Sequence, residues 1–344
     1  MAKGTSKSGE ITINDIAKEL NIAASTVSRA LNNSTKISEA TKQKVRKVAE
    51  ELGYEINLVA SSLSKNKTNL IGVVIPNINS QFFAHALSGI QEEAKAAGYN
   101  VIISQTNESY EQEVEVMKVM NSARVDGLIV SLTMETKSTD HFNALVRKSV
   151  PIVMFDRVNF SVPGPKIVVD NYEASFKATQ HLIGNGCKRI AHLAGNLSCK
   201  VFEDRAEGFK EALNKNILPL LPQFLLACDL NEKDTREAMK LWMSLDERPD
   251  GIVVASASSG LMIASIARSY GVTIPGDLAI ISLGNERCNE LMIPSISAVD
   301  MPGSEMGKAA AINLIETIKT GHIEDRIILK PIQLLMRNST FKMA

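Results

Sequence analysis

The sequence predicts an α/β protein: a small all-helical head, a short linker, and a body of two parallel-sheet lobes. Three observations predict it. At 344 residues the chain is too long for one ordinary core. Residues 11–53 carry three short helical patterns with capping residues and no strand-like run. From residue 68 onward, continuous apolar runs alternate with helical stretches, the pattern of parallel strands covered on both faces.

In the head, Thr12 caps the first helix with Asp15 three residues on, and Ile16, Ala17 and Leu20 share one face. Asn21 follows, a residue that tolerates the left-handed turn. The second helix runs from about Ala23 to Asn32. Its Ala23, Val27, Ala30 and Leu31 form an apolar arc, while Ala24, Ser25, Ser28 and Arg29 form the opposite one. The third helix takes Ser38 as cap and buries Val45, Val48, Ala49 and Leu52, with Gly53 closing it. A generic bundle would carry more Glu and Lys on its exposed face. Small polar groups beside one arginine suit the major groove, where arginine grips guanine bidentately. The charge agrees: residues 1–67 hold 11 Lys and Arg against 7 Asp and Glu, and the remainder holds 27 against 31.

Residues 12–17, the run Thr26-Val27-Ser28-Arg29-Ala30-Leu31-Asn32, and Leu52-Gly53-Tyr54 together resemble the head of the lactose/galactose repressor (LacI/GalR) family. The resemblance continues to about Met336. It implies that residues 1–56 are a helix-turn-helix DNA-binding domain in which Ala24, Ser25, Ser28 and Arg29 face base edges. It implies phosphate contacts from Thr12, Asn32, Ser38, Thr41, Tyr54 and Asn57. Read on composition alone, the linker is a short polar connector whose helix is marginal in water. The resemblance makes residues 57–67 a hinge helix that folds on operator DNA, with Ala60 and Leu63 in the minor groove and Leu63 as a wedge. Three positions depart from the family pattern: Ala23 replaces a common capping serine, Ala24 is small, and Ile56 replaces a common proline.

In the body, strands are expected at Leu70–Ile75, Val101–Ile103, Leu128–Val130, Ile152–Phe155, Ile190–Ala194, Phe224–Ala227, Ile252–Ala255 and Ala279–Leu283. An internal echo, Arg124-Val125-Asp126-Gly127 against Arg248-Pro249-Asp250-Gly251, points to two similar lobes. The resemblance implies two Rossmann-like lobes of the periplasmic-binding-protein type within residues 68–344, an effector-binding and dimerisation core. The first lobe takes about 68–168 plus 299–326, and the second about 169–298 plus 327–344.

Ligands of open α/β sheets sit beyond the carboxyl ends of the strands. Candidates there are Asn77, Asn79, Asp156, Arg157, Gly195, Asn196, Ser256, Gly284 and Asn285, with Phe82, Phe83 and Phe160 as walls and Arg205 nearby. Each is equally readable as a helix cap or an inter-lobe ion pair. The resemblance raises Asp156 and Arg205, and the expected effector set is Asn77, Phe83, Asp156, Arg205, Ser256 and Asn285. Ser256-Ala257, Ser282-Leu283-Gly284 and Ser80-Gln81 depart from the family's usual pocket residues. The departures predict poor binding of simple neutral sugars and suggest a bulkier or anionic ligand paired with Arg205.

No run of 18 apolar residues occurs, and Ile11, Ile13 and Ile16 are interleaved with polar residues, so neither a membrane span nor a secretory signal is expected. The four cysteines are far apart, as in a reduced cytoplasmic protein, and the five histidines show no metal spacing. There is no phosphate-cradling glycine loop and no nucleophile elbow; no enzyme, cofactor or metal is expected. The expectation is a homodimeric, DNA-binding transcription regulator, a repressor of a carbohydrate-related operon. Its expected partners are double-stranded operator DNA and a small effector, such as a sugar derivative. Two alternatives stand beside it: a body that binds a partner protein or nothing, and a solute-binding protein, which would need a signal peptide and no basic head.

Overall fold

A computed structural model describes residues 11–54 and 67–341. They fall into two compact units, the head up to Thr68 and the body from Asn69. The calls on Asn57, Ala60 and Leu63 lie outside the described residues.

The head is α1 (Ile13–Leu20), α2 (Ala24–Leu31) and α3 (Glu39–Glu51). Thr12 opens α1: its backbone N–H donates to Asp15 Oδ2 at 2.9 Å and its hydroxyl donates to the same oxygen at 2.6 Å. These bonds to Thr12 hold the Asp15 carboxyl below its usual range. Asn21 closes the helix with φ 50°, as expected of a residue tolerating the left-handed region. Ser38 caps α3 by accepting from the Thr41 N–H at 3.3 Å, and Gly53 follows with φ 68°. Ile16, Ala17, Val27, Ala30, Val45 and Ala49 form the core. Ala23 is exposed at the start of α2 instead of packing inward, because it is the non-helical cap position.

The body holds two six-stranded sheets. The first comprises β1 (Leu70–Ile75), β2 (Asn100–Gln105), β3 (Gly127–Val130), β4 (Ile152–Phe155), β5 (Lys166–Val169) and β11 (Ile327–Lys330), ordered β2-β1-β3-β4-β5-β11 and all parallel. The second comprises β6 (Ile190–Ala194), β7 (Leu225–Ala227), β8 (Gly251–Val254), β9 (Ala279–Leu283), β10 (Ser297–Asp300) and β12 (Gln333–Leu335), ordered β7-β6-β8-β9-β10-β12. Within it only the β10–β12 pair is antiparallel. Helices α4 (Gln81–Ala96), α5 (Tyr110–Ser122), α6 (Asn143–Val146) and α12 (Gly303–Thr320) serve the first lobe. Helices α7 (Asn171–Gly184), α8 (Lys200–Lys215), α9 (Glu232–Ser244), α10 (Ala257–Ser269) and α11 (Arg287–Leu291) serve the second.

The sequence echo has a physical basis. Asp126 Oδ2 accepts from the Asn69 N–H at 2.9 Å, and Asp250 Oδ1 accepts from the Lys188 and Arg189 N–H groups at 3.0 and 2.9 Å. In each lobe the aspartate ahead of the third strand pins the start of the first. The glycine after it admits a neighbour: a Cβ on Gly127 would press on Leu314 of α12.

The chain crosses between the lobes after β5, after β10 and after β11. This corrects the expected boundaries at two points. Residues 297–300 still belong to the second sheet, and residues 327–330 to the first, as its edge strand. As an edge strand β11 alternates exposed and half-buried residues, so its short run Ile327-Ile328-Leu329 is only partly covered.

His192 of β6 is fully buried against Phe209 and donates from Nδ1 to the Val253 carbonyl at 2.9 Å. Burial holds its pKa at about 4, against 6.5 ordinarily, with the Arg205 charge adding to the depression. The neutral ring therefore contributes its full stability above about pH 6.5, and that contribution is lost as pH falls toward 4. The drop in urea midpoint between pH 7.5 and pH 5 is expected to be smaller in His192→Gln than in the wild type. An equal drop in both proteins refutes the assignment.

Candidate functional site

On α2 the two sides divide cleanly. Val27 and Ala30 are fully buried, Ser25 and Arg29 are exposed, and Ser28 is half-buried between them. Arg29 makes no ion pair among the described residues. Ala24 is half-buried like Ser28 and also packs on the head's core. The polar arc is thus Ser25, Ser28 and Arg29. Asn32 Nδ2 donates to the Ser28 carbonyl at 2.8 Å, finishing the helix. The hydroxyls of Thr12, Ser38 and Thr41 all serve caps at the helix starts, and Tyr54 packs on the core.

Between the two lobes of the body lies a cavity of about 750 Å³. All six expected residues, Asn77, Phe83, Asp156, Arg205, Ser256 and Asn285, line it. Asn77, Asp156, Ser256 and Asn285 follow β1, β4, β8 and β9, as the switch-point rule requires, while Phe83 and Arg205 come from α4 and α8. Phe160 does not join them; it is 62% exposed in the loop after β4. Phe202 takes the part of the aromatic wall, with the guanidiniums of Arg157 and Arg205 each 5.5 Å from its ring centre. The signal was present in the sequence: Phe202 precedes Arg205 by three residues on α8 and so shares its face. Gly195 is required beside it, since any Cβ there would run into the Phe202 ring.

Asp156 ends β4 with φ 59°, a left-handed conformation uncommon outside glycine and recurrent at functional sites. Its carboxyl is buried, and burial pushes its pKa up against the opposing charges of Arg157 and Arg205. Arg157 donates from Nη1 to both Glu108 oxygens, at 2.8 and 2.7 Å. Glu108 also accepts from the Met134 N–H, which fixes the loop after β3.

Arg205 is buried, and each of its three nitrogens is already committed. Nε donates to Asn171 Oδ1 at 2.9 Å, Nη1 to the Ala255 carbonyl at 2.7 Å, and Nη2 to Met301 Sδ at 3.2 Å. Nε carries one N–H and each Nη two, so Arg205, which lines the cleft, keeps one N–H on each Nη beyond these three bonds. Asn285 is similarly engaged, accepting from Arg337 Nη2 at 3.0 Å and donating to the Asp300 carboxyl. Ser256 Oγ lies 2.9 Å from Ser258 Oγ at the start of α10. The departure at Gln81 has a structural use: its Oε1 accepts from the Arg287 N–H at 2.8 Å, bonding α4 of one lobe to α11 of the other. Proline at that position has no such side chain.

A helix-turn-helix head followed by a two-lobed α/β body with an interlobe cleft defines a ligand-responsive DNA-binding class. Comparison with known proteins sets the family. Residues 12–57 match the model "Bacterial regulatory proteins, lacI family", and residues 68–338 match "Periplasmic binding proteins and sugar binding domain of LacI family". Catabolite control protein A of Priestia megaterium is 30% identical over 331 residues, covering 96% of this chain and 99% of that one. The ribose operon repressor of Halalkalibacterium halodurans is 28% identical over 332 residues, covering 96% and 97%. Among solved structures, the lac repressor dimer bound to operator and an anti-inducer shares the fold, with a TM-score of 0.85, 20% identity, and coverage of 97% and 100%. The chain belongs to the LacI family of bacterial regulatory proteins and is a DNA-binding transcription regulator. The head match sets aside the solute-binding alternative. Among the described residues no helix is long and apolar enough to cross a membrane.

Removing the Arg205 side chain leaves Asn171 Oδ1 and the Ala255 carbonyl without their donor, at about 1–3 kcal/mol for each buried group. Arg205→Ala is expected to lower the melting temperature of the ligand-free protein by several degrees, since 1 kcal/mol corresponds to about 2–4 °C in a domain of this size. An unchanged melting temperature shows that the guanidinium is not holding the cleft together.

Proposed function

We propose that the protein is a cytoplasmic repressor of a carbohydrate-related operon. It binds a near-palindromic operator as a homodimer, with an affinity set by a small polar effector in the interlobe cleft. The observation that carries the DNA half is the exposed arc of α2, with Ser25, Ser28 and Arg29 beside the buried Val27 and Ala30. One such helix is little surface for a specific site, and a two-fold dimer doubles it. Leu291 and Ile293, 68% and 83% exposed at α11, are apolar surface of the kind subunit contacts cover. The effector half rests on the cleft itself, with its strained Asp156 and its walls of Phe82 and Phe202. Thr12, Asn32, Ser38, Thr41 and Tyr54 are proposed phosphate contacts. Asn57, Ala60 and Leu63 are the proposed hinge residues. The relatives are transcription regulators, and no catalytic activity is proposed.

In vitro selection of DNA by the full chain is expected to yield a sequence with two-fold symmetry. On that sequence Arg29→Ala is expected to cost about 1–3 kcal/mol and to relax preference at one base pair per half-site. A loss equal on every sequence makes Arg29 a phosphate contact. Ultracentrifugation supplies the second check: a monomer at micromolar concentration overturns the dimer.

A further inference from the structure

The charge lining the cleft is lopsided. Six carboxylates face it, Glu108, Glu135, Asp156, Asp229, Glu286 and Asp300, against two guanidiniums, Arg157 and Arg205. No lysine lines it, and His85 is the one further titratable base. Both guanidiniums are already balanced. Arg157 pairs with Glu108 at 2.7 Å, and Arg205 lies in the field of Asp156, with its nitrogens donating inside the protein. That leaves four carboxylates, none in an ion pair among the described residues: Asp300 and Glu286, half-buried, and Glu135 and Asp229, exposed at the rim.

The two half-buried groups stand on neighbouring segments of the second lobe. In the β9–β10 pair Val299 sits opposite Leu283, which sets Asp300 abreast of Gly284, two residues before Glu286. Asp300 accepts one hydrogen bond from Asn285, and Glu286 begins α11. The groups around Asp300 are Asn285, His85 and Arg337 on one side of the balance and Glu305 on the other. Burial pushes the pKa of both carboxyls up, so each gains from a cation brought beside it.

We propose that the effector is cationic: a small polyhydroxylated molecule carrying a protonated amine, such as an amino sugar, with its ammonium against Asp300 and Glu286. This rests on the cleft being the effector site. Phe82 and Phe202 cover the apolar face of a sugar-like ring, and the ammonium supplies the positive charge that the cleft lacks. A sugar phosphate or acid meets four carboxylates that make no ion pair among the described residues, against two guanidiniums already facing Glu108 and Asp156.

Calorimetry on the full chain tests this with three matched probes: glucose, glucosamine and glucose 6-phosphate, repeated for the galactose series. The expected result is that an amine-bearing member binds at least tenfold tighter than its neutral parent, that the phosphates do not bind, and that 0.5 M salt erodes the preference. Asp300→Asn and, independently, Glu286→Gln are expected to reduce the preference, with circular dichroism confirming the fold of each. Equal or tighter binding of a neutral or phosphorylated probe overturns the cationic assignment and leaves the effector cleft standing. Binding of no probe, with operator binding intact in a gel shift, overturns the assignment and counts against the effector cleft as well.

Discussion

A guanidinium taken out of water costs several kcal/mol unless its donors and charge are met. Arg205 is such a group, and what meets it organises the body. Burial lowers its pKa to about 10, still far above neutrality, so the charge persists and must be answered in place. The answers come from three parts of the chain. Asn171 is the first residue of α7, just past the first crossover. Ala255 follows β8. Met301 stands beside the second crossover, ahead of α12. One ion thereby joins the floor of the cleft to two of the three segments that connect the lobes. Asp156 completes the balance from the end of β4 in the other lobe. The cleft and the hinge are therefore one electrostatic unit, and a ligand near Asp156 acts on both.

The strands buried on both faces were legible in the sequence for a simple reason. With helices on each side such a strand is apolar almost throughout, His192 and Ser282 being the polar residues within these four, and Leu70–Ile75, Ile152–Phe155, Ile190–Ala194 and Ala279–Leu283 match the expectation to the residue. Four strands carried no expectation: β5 and β10 begin on the polar Lys166 and Ser297, and β11 and β12 are edge strands with no buried residue. That is why the lobe boundaries shifted at 297–300 and 327–330. The convergence of Asp156 and Arg205 was legible through the switch-point rule and the family motif together. The state of Arg205 was not, because its partners lie 34, 50 and 96 residues away and two of them are not polar side chains: a carbonyl and a thioether. Local sequence carries residue identity at a site; it does not carry which hydrogen-bond capacity is already spent.

The same distinction bears on the departures from the family pattern. Ser256, Ala257 and Gly284 leave only small, uncharged groups at those positions. In the folded chain the carboxylates come from elsewhere, from Glu108 and Glu135 after β2 and β3, Asp229 after β7 and Asp300 at the end of β10. A sheet edge collects loops that are distant in sequence, so the net charge of a switch-point cleft is a property of the topology.

The Gln81–Arg287 bond gives the lobe arrangement an energy scale. It is a side-chain bond to a backbone N–H between α4 and α11, exposed, and worth about 0.5–1.5 kcal/mol at most. Typical coupling between two ligand sites is about 1–3 kcal/mol. The Gln81–Arg287 bond acts beside the Arg157 guanidinium over the Phe202 ring and the Asp156 charge facing Arg205, and a ligand that adds hydrogen bonds to both lobes competes on the same scale. A ligand changes the lobe equilibrium only by its difference in affinity for the two arrangements. The residues that make that difference are the ones contributed from opposite lobes: Asp156 and Phe82 on one side, Asp300 and Phe202 on the other. Affinity drawn from one lobe alone fills the cleft without moving it.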